Sequence, residues 1–106
     1  MTKVEIHAGV CGFVTTVSAD SEDGQMVHLT IESECPAVRA MAQAMPEELD
    51  AYEVCFQRPG TGLLYELSSQ HLVGHAGCIV TAGIAKCMEA ECALALKRDC
   101  SITFVD

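Results

Sequence analysis

The stretch from Phe13 to Ser33 constrains this chain more than any other. Phe13-Val14-Thr15-Thr16-Val17-Ser18-Ala19 is a β-prone run. Asp20-Ser21-Glu22-Asp23-Gly24-Gln25 is turn chemistry, and Asp-Gly is the strongest short-range hairpin signal. Met26 to Ser33 then alternates, with Val27, Leu29 and Ile31 on one face and His28, Thr30 and Glu32 on the other. A period of two with one apolar face predicts a hairpin that needs cover on one side. The cover must come from the rest of a 106-residue chain, which is the length of a single domain, residues 1–106.

The remaining segments supply helices. Residues 3–9 alternate weakly and read as a strand leading into the hairpin. Cys35-Pro36 opens a helix from Ala37 to about Met45, because proline is tolerated at a first helical position whose N–H is unpaired anyway. Pro46 stops it, and a second helix is expected over Glu47 to Val54. Arg58 to Gly62 is a loop, Leu63 to Gln70 a short helix, and Gly74 and Gly77 flank a break. From Gly77 to Lys97 the pattern predicts the longest helix, with Val80, Ile84, Met88, Cys92 and Leu96 in one apolar stripe. Glu91 falls close to that stripe, and nothing in the sequence explains it. Asp99 to Val105 reads as a final strand. The expected class is α+β: a small, mostly antiparallel sheet, made of the N-terminal hairpin plus a C-terminal strand, packed on one face by helices.

Charge narrows the partners. Six Lys and Arg against fifteen Asp and Glu give a net charge of -9. Such a surface repels a phosphate backbone, so nucleic acid is not expected, and neither is an anionic membrane surface. A protein partner with a basic surface would suit it. No apolar run approaches the ~18 residues of a membrane span. The first residues lack the apolar run of a signal peptide, so the expected compartment is the cytoplasm.

Seven cysteines are then an anomaly. In a reducing compartment cysteine means metal, redox chemistry or core filling rather than disulfides, and seven is odd. Cys87 and Cys92 lie five residues apart in a helix, about 140° around its axis, and read as core. Cys100 alternates with Ser101 in the last strand and reads the same way, while Cys55, before a loop, is undecided. Cys11, Cys35 and Cys78 differ. Cys11 sits in the glycine-bracketed turn Gly9-Val10-Cys11-Gly12, Cys35 stands at one helix start, and Cys78 follows His75-Ala76-Gly77 at another. Partial positive charge and free N–H donors at a helix N-terminus stabilise a thiolate, the form that binds metal or attacks an electrophile. The plain alternative is that all three are small residues at element ends.

Other chemistries find less support. There is no Cys-x-x-Cys pair for a zinc ribbon, a thioredoxin-type dithiol or a bacterial ferredoxin. Gly60-Thr61-Gly62 lacks the lysine of a phosphate loop, and no Gly-x-Ser-x-Gly occurs. His7, His28 and His71 read as ordinary polar residues, and Glu47, Glu48 and Asp50 as a solvated helix start.

The order of parts resembles the IscU/NifU-type iron–sulfur cluster scaffold. A glycine-bracketed cysteine, Val10-Cys11-Gly12, precedes a hairpin that delivers Cys35 to a helix start, and His75 and Cys78 open a long helix. The separations, 24 residues from Cys11 to Cys35 and 43 from Cys35 to Cys78, are close to that family's. The likeness covers about residues 4–97. It departs at Phe13, where the family has aspartate, at Glu34-Cys35-Pro36, where it has a Gly-Cys-Gly turn, and at the spacing of His75 from Cys78. The chain is also similar to small cysteine-bearing proteins of anaerobic prokaryotes that combine a CGF turn, a SECP helix start and an HxxC helix start, from which no activity follows. The scaffold resemblance implies that Cys11, Cys35 and Cys78 hold an iron–sulfur cluster or zinc, with His75 as fourth ligand or just behind. A nucleophilic Cys35 or Cys78 in a thiol enzyme or redox protein, or an interaction module without chemistry, are the competing expectations.

Overall fold

The computed structural model describes residues 1–106. Strands β1 (Thr2–His7), β2 (Val14–Asp20), β3 (Met26–Ser33) and β4 (Leu49–Asp50) form one sheet in that order, each pair antiparallel. Helices α1 (Pro36–Gln43), α2 (Ala51–Cys55), α3 (Leu63–His71) and α4 (Val80–Glu91) complete an α+β fold of the expected class.

Register decides which side of the sheet is wet. Val4 pairs with Val17 and Val17 with Ile31, while Glu5 pairs with Thr16 and Thr16 with Glu32. Ile6, Val17, Ala19 and Val27 are buried on the inner face, with Val4, Leu29 and Ile31 packed against them. Lys3, Glu5, His28, Thr30 and Glu32 face solvent. The β2–β3 turn closes as Asp-Gly chemistry requires. The Asp23 carboxylate accepts the N–H groups of Gln25 and Met26, both at 2.9 Å, and these bonds hold its pKa below the ordinary value. Gly24 takes φ +77°, a conformation side chains disfavour.

α4 crosses the inner face over β1 and β2 and runs antiparallel to β1. Gly83 lies on Ile6, where a Cβ would run into the isoleucine side chain. Eight residues on, the Glu91 carboxylate accepts from Thr2 Oγ1 at 2.8 Å and from the Ser21 N–H at 2.9 Å. Glu91 therefore sits near the apolar stripe because it ties the last turn of α4 to both strands beneath it. α1 packs on β3 and α3, and α2 packs on α4. Val38, Met41, Val80, Ile84, Cys87 and Met88 fill the space between the layers.

Four expectations need correction. Leu49-Asp50 is a short strand rather than helix: it pairs with Val27 and Met26, and the Asp50 carboxylate then caps α2 by accepting from the N–H groups of Tyr52 and Glu53. α4 stops at Glu91 instead of Lys97. The N–H of Leu94 donates to Glu89 O at 2.8 Å and that of Ala93 to Ala90 O at 3.3 Å, a Schellman ending with Ala93 at φ +57°. Past that point the helix would leave the sheet, and Leu96 has nothing to cover it. The C-terminal strand does not form: residues 100–105 carry no regular structure. Cys100 is exposed, not core. β-propensity measures fit to a pleated, half-buried surface, and within the chain the tail has none.

Candidate functional site: the thiol end of the sheet

Two strand registers and one helix direction fix where the singled-out residues lie. His7 pairs with Val14 and Thr15 with Ser33, so the β1–β2 connection and the β3–α1 junction share one end of the sheet. α4 meets Ile6 at Gly83 and Thr2 at Glu91, so the residues leading into Val80 approach that same end. Cys11, Cys35 and Cys78, with His75, thus ride on three separate segments at one end of the molecule.

Each is held differently. Gly9 to Gly12 is a tight turn closed by the Gly12 N–H on Gly9 O at 3.0 Å, with both glycines at positive φ. Val10 and Cys11 form its exposed tip. Cys35 is the N-cap of α1, as the Cys-Pro sequence predicts, and Pro36 follows at the first helical position. Its N–H donates to Ser33 Oγ at 3.1 Å, its carbonyl accepts from the Arg39 N–H, and its thiol makes no capping bond. Thr15 Oγ1 donates to the same Ser33 hydroxyl, which ties the junction to β2. Cys78 stands two residues before α4, whose N-cap is Ile79, so it precedes the helix rather than opening it. The N–H of Cys78 donates to His75 O, and that of His75 to Leu72 O, both at 3.0 Å. Cys35 and Cys78 are half-buried at the margin of the core, and His75 is exposed.

All seven cysteines are free thiols. In their present positions no group of three or more His, Cys, Asp and Glu side chains is close enough to hold a metal ion. The donor set of three thiols and an imidazole suits zinc or an iron–sulfur cluster, but its spacing does not suit either until a segment moves.

The other thiols are of another kind. Cys87 is fully buried and donates to the carbonyls of Thr2 and Val17, at 3.3 and 3.6 Å. Cys92 is buried at the C-cap of α4. Desolvation pushes the pKa of both up. Cys55 leans on α4, its thiol 3.9 Å from Ala85 O. Burial first, then the charges of Glu89 and Cys92, push its pKa up to about 11. The sequence pattern missed Cys100 as an accessible thiol, because alternation reports what a strand would bury and not whether a neighbour exists to bury it.

These features define a small α+β protein whose sheet is open on one face and carries free thiols at one end. The chain belongs to a family of unknown function (DUF6951), whose model matches residues 2–104. No curated protein and no solved structure matches it. The resemblance to iron–sulfur scaffolds accordingly rests on Cys11, Cys35, His75 and Cys78 and their order along the chain.

Proposed function

We propose that Cys11, Cys35 and Cys78 form one thiolate site that takes up a soft transition metal, zinc or the iron of an iron–sulfur cluster, with His75 as fourth ligand or behind the cysteines. The observation that carries this reading is the convergence of three separate segments, each with a free thiol, on one end of the sheet. The β1–β2 turn is the part that must close, because Cys11 is exposed at its tip while Cys35 and Cys78 are anchored beside the core. A site that assembles by loop closure gives up its ion more readily than a rigid cage, which suits a scaffold or carrier. A net charge of -9 suits docking on a partner with a basic surface.

The test is the metal and sulfide content, and the colour, of protein purified without oxygen, compared with variants bearing Ser at positions 11, 35 and 78. About one ion or cluster per chain, lost in each variant while the fold persists, supports the reading. Metal-free protein that also binds no added Zn²⁺ or Fe²⁺ contradicts it. In that case the competing readings, a thiol enzyme or redox protein with Cys35 or Cys78 as nucleophile or an interaction module without chemistry, take the lead.

A further inference from the structure

The tail after α4 presents an apolar strand pattern to water. Ile102, Phe104 and Val105 are 80%, 91% and 93% exposed, and Cys100-Ser101-Ile102-Thr103-Phe104-Val105 alternates as a half-buried strand would. The sheet meanwhile lacks a strand. β4 covers β3 only at Met26 and Val27, so the outer edge from His28 to Ser33 has no partner. That edge opens onto a groove of about 570 Å³ between β3 and the end of α1, lined on its apolar side by Leu29, Ile31, Ala42 and Met45. An unprotected edge beside an apolar groove is a template for strand addition.

We propose that Cys100–Val105 is the missing strand, and that it adds antiparallel to the β3 edge of a second copy of this chain. Pairing Cys100 with Ser33 and Val105 with His28 sets Ile102 opposite Ile31 and Phe104 opposite Leu29. Both apolar side chains then enter the groove, while Ser101 and Thr103 face solvent beside Glu32 and Thr30. Arg98, one of the chain's six basic residues, comes level with Cys35, next to Glu34.

For this antiparallel register, reach selects the second copy over the chain itself. α4 ends at the opposite end of the sheet from Ser33, anchored by Glu91 to Thr2 and Ser21. The level of Ser21 is separated from that of Ser33 by about 20 Å along the strands. The tail must also cross from above β1 and β2 to the far edge of β3. The eight steps from Cys92 to Cys100 span at most ~27 Å fully extended, which leaves no slack to pass around α1. A reciprocal exchange across a two-fold axis satisfies both edges at once. The same register sets Cys100 of one copy two residues from Cys35 of the other, so the strand brings a further thiol to that end of the sheet. The exchange itself stands whether or not the thiols bind metal.

The test is the solution mass of the full chain, under reducing conditions with a chelator, by light scattering. Wild type should run at twice the 11.3 kDa chain mass. Phe104→Asp in the tail and Ala42→Glu in the groove should each halve that mass, with the circular dichroism of the fold retained. Mixing the two variants should restore a 1:1 dimer, since one intact tail and one intact groove remain. A short bis-maleimide should link copies through Cys35 and Cys100, and Cys100→Ser should abolish that link. A monomeric wild type overturns the proposal, including one whose tail amides resist hydrogen exchange, which would mean pairing within the chain. A dimer that survives Phe104→Asp, or that survives Ala42→Glu, overturns it too.

Discussion

At the scale of single residues, Glu91 and Ala93 say most about how this sequence holds its last helix. The Glu91 carboxylate, only 10% exposed, accepts from Thr2 Oγ1 and the Ser21 N–H, and these bonds depress its pKa, the Thr2 bond most. A depressed folded-state pKa means the contribution is complete above the ordinary glutamate range and is lost as pH falls through the folded value. Glu91→Gln should therefore cost about 1–2 kcal/mol at neutral pH. The gap to wild type should shrink in acid, as denaturant melts from pH 7 to 3 would measure. Ala93 takes the left-handed conformation at which helices usually place glycine. Ala93→Gly should raise stability by about 1 kcal/mol, readable as a shift in the unfolding midpoint. Neither effect is legible in the sequence, where Glu91 looks misplaced and Ala93-Leu94-Ala95-Leu96 looks like more helix. Both depend on contacts between segments about 70 to 90 residues apart or on a backbone reversal that no side chain announces.

At the scale of elements, the hairpin was readable because its signals are local: alternation on each side of Asp23-Gly24. The start of α1 was readable for the same reason, from Cys35-Pro36. β4 was not, because two residues carry no period, and Leu49-Asp50 becomes strand only where Met26 and Val27 offer an edge. The tail failed in the opposite sense, with the pattern of a strand but no pairing to an edge of its own chain. Thiols line both sides of α4, Cys55 where α2 packs on it and Cys87 where it meets the sheet, with Cys92 at its C-cap. Cys55, Cys87 and Cys92 all have raised pKa values, and Cys55 reaches about 11. Unfolding frees these thiols to ionise near ~8.5, so stability should fall as pH rises from about 9 towards 11. The fall should be smaller in Cys55→Ala, as melts across that range would determine. Cys87→Ala should cost about 1 kcal/mol from lost packing and leave metal uptake unchanged; loss of uptake with the fold intact would move Cys87 into the site.

At the scale of the whole molecule, one sheet carries two kinds of end. The end beneath Glu91 is closed by hydrogen bonds to Thr2 and Ser21. The opposite end gathers Cys11, Cys35 and Cys78 on a turn, a helix cap and a helix approach, with no ready-made ligand cage among them. The sequence named these three thiols through glycine brackets and helix starts. It could not give their separation, which depends on how far the β1–β2 turn stands from α4. On the proposed reading the three act together once an ion arrives. Mass-mapped alkylation, with and without one equivalent of Zn²⁺, puts this to the test. Without metal, Cys11 should react first, Cys35 and Cys78 more slowly, and Cys87 and Cys92 last, following their burial. With Zn²⁺, Cys11, Cys35 and Cys78 should become protected in the same step, and protection should fail together as acid protonates the thiolates. If Zn²⁺ leaves Cys11 reacting at its metal-free rate, or protects any one of the three without the others, they are not one site.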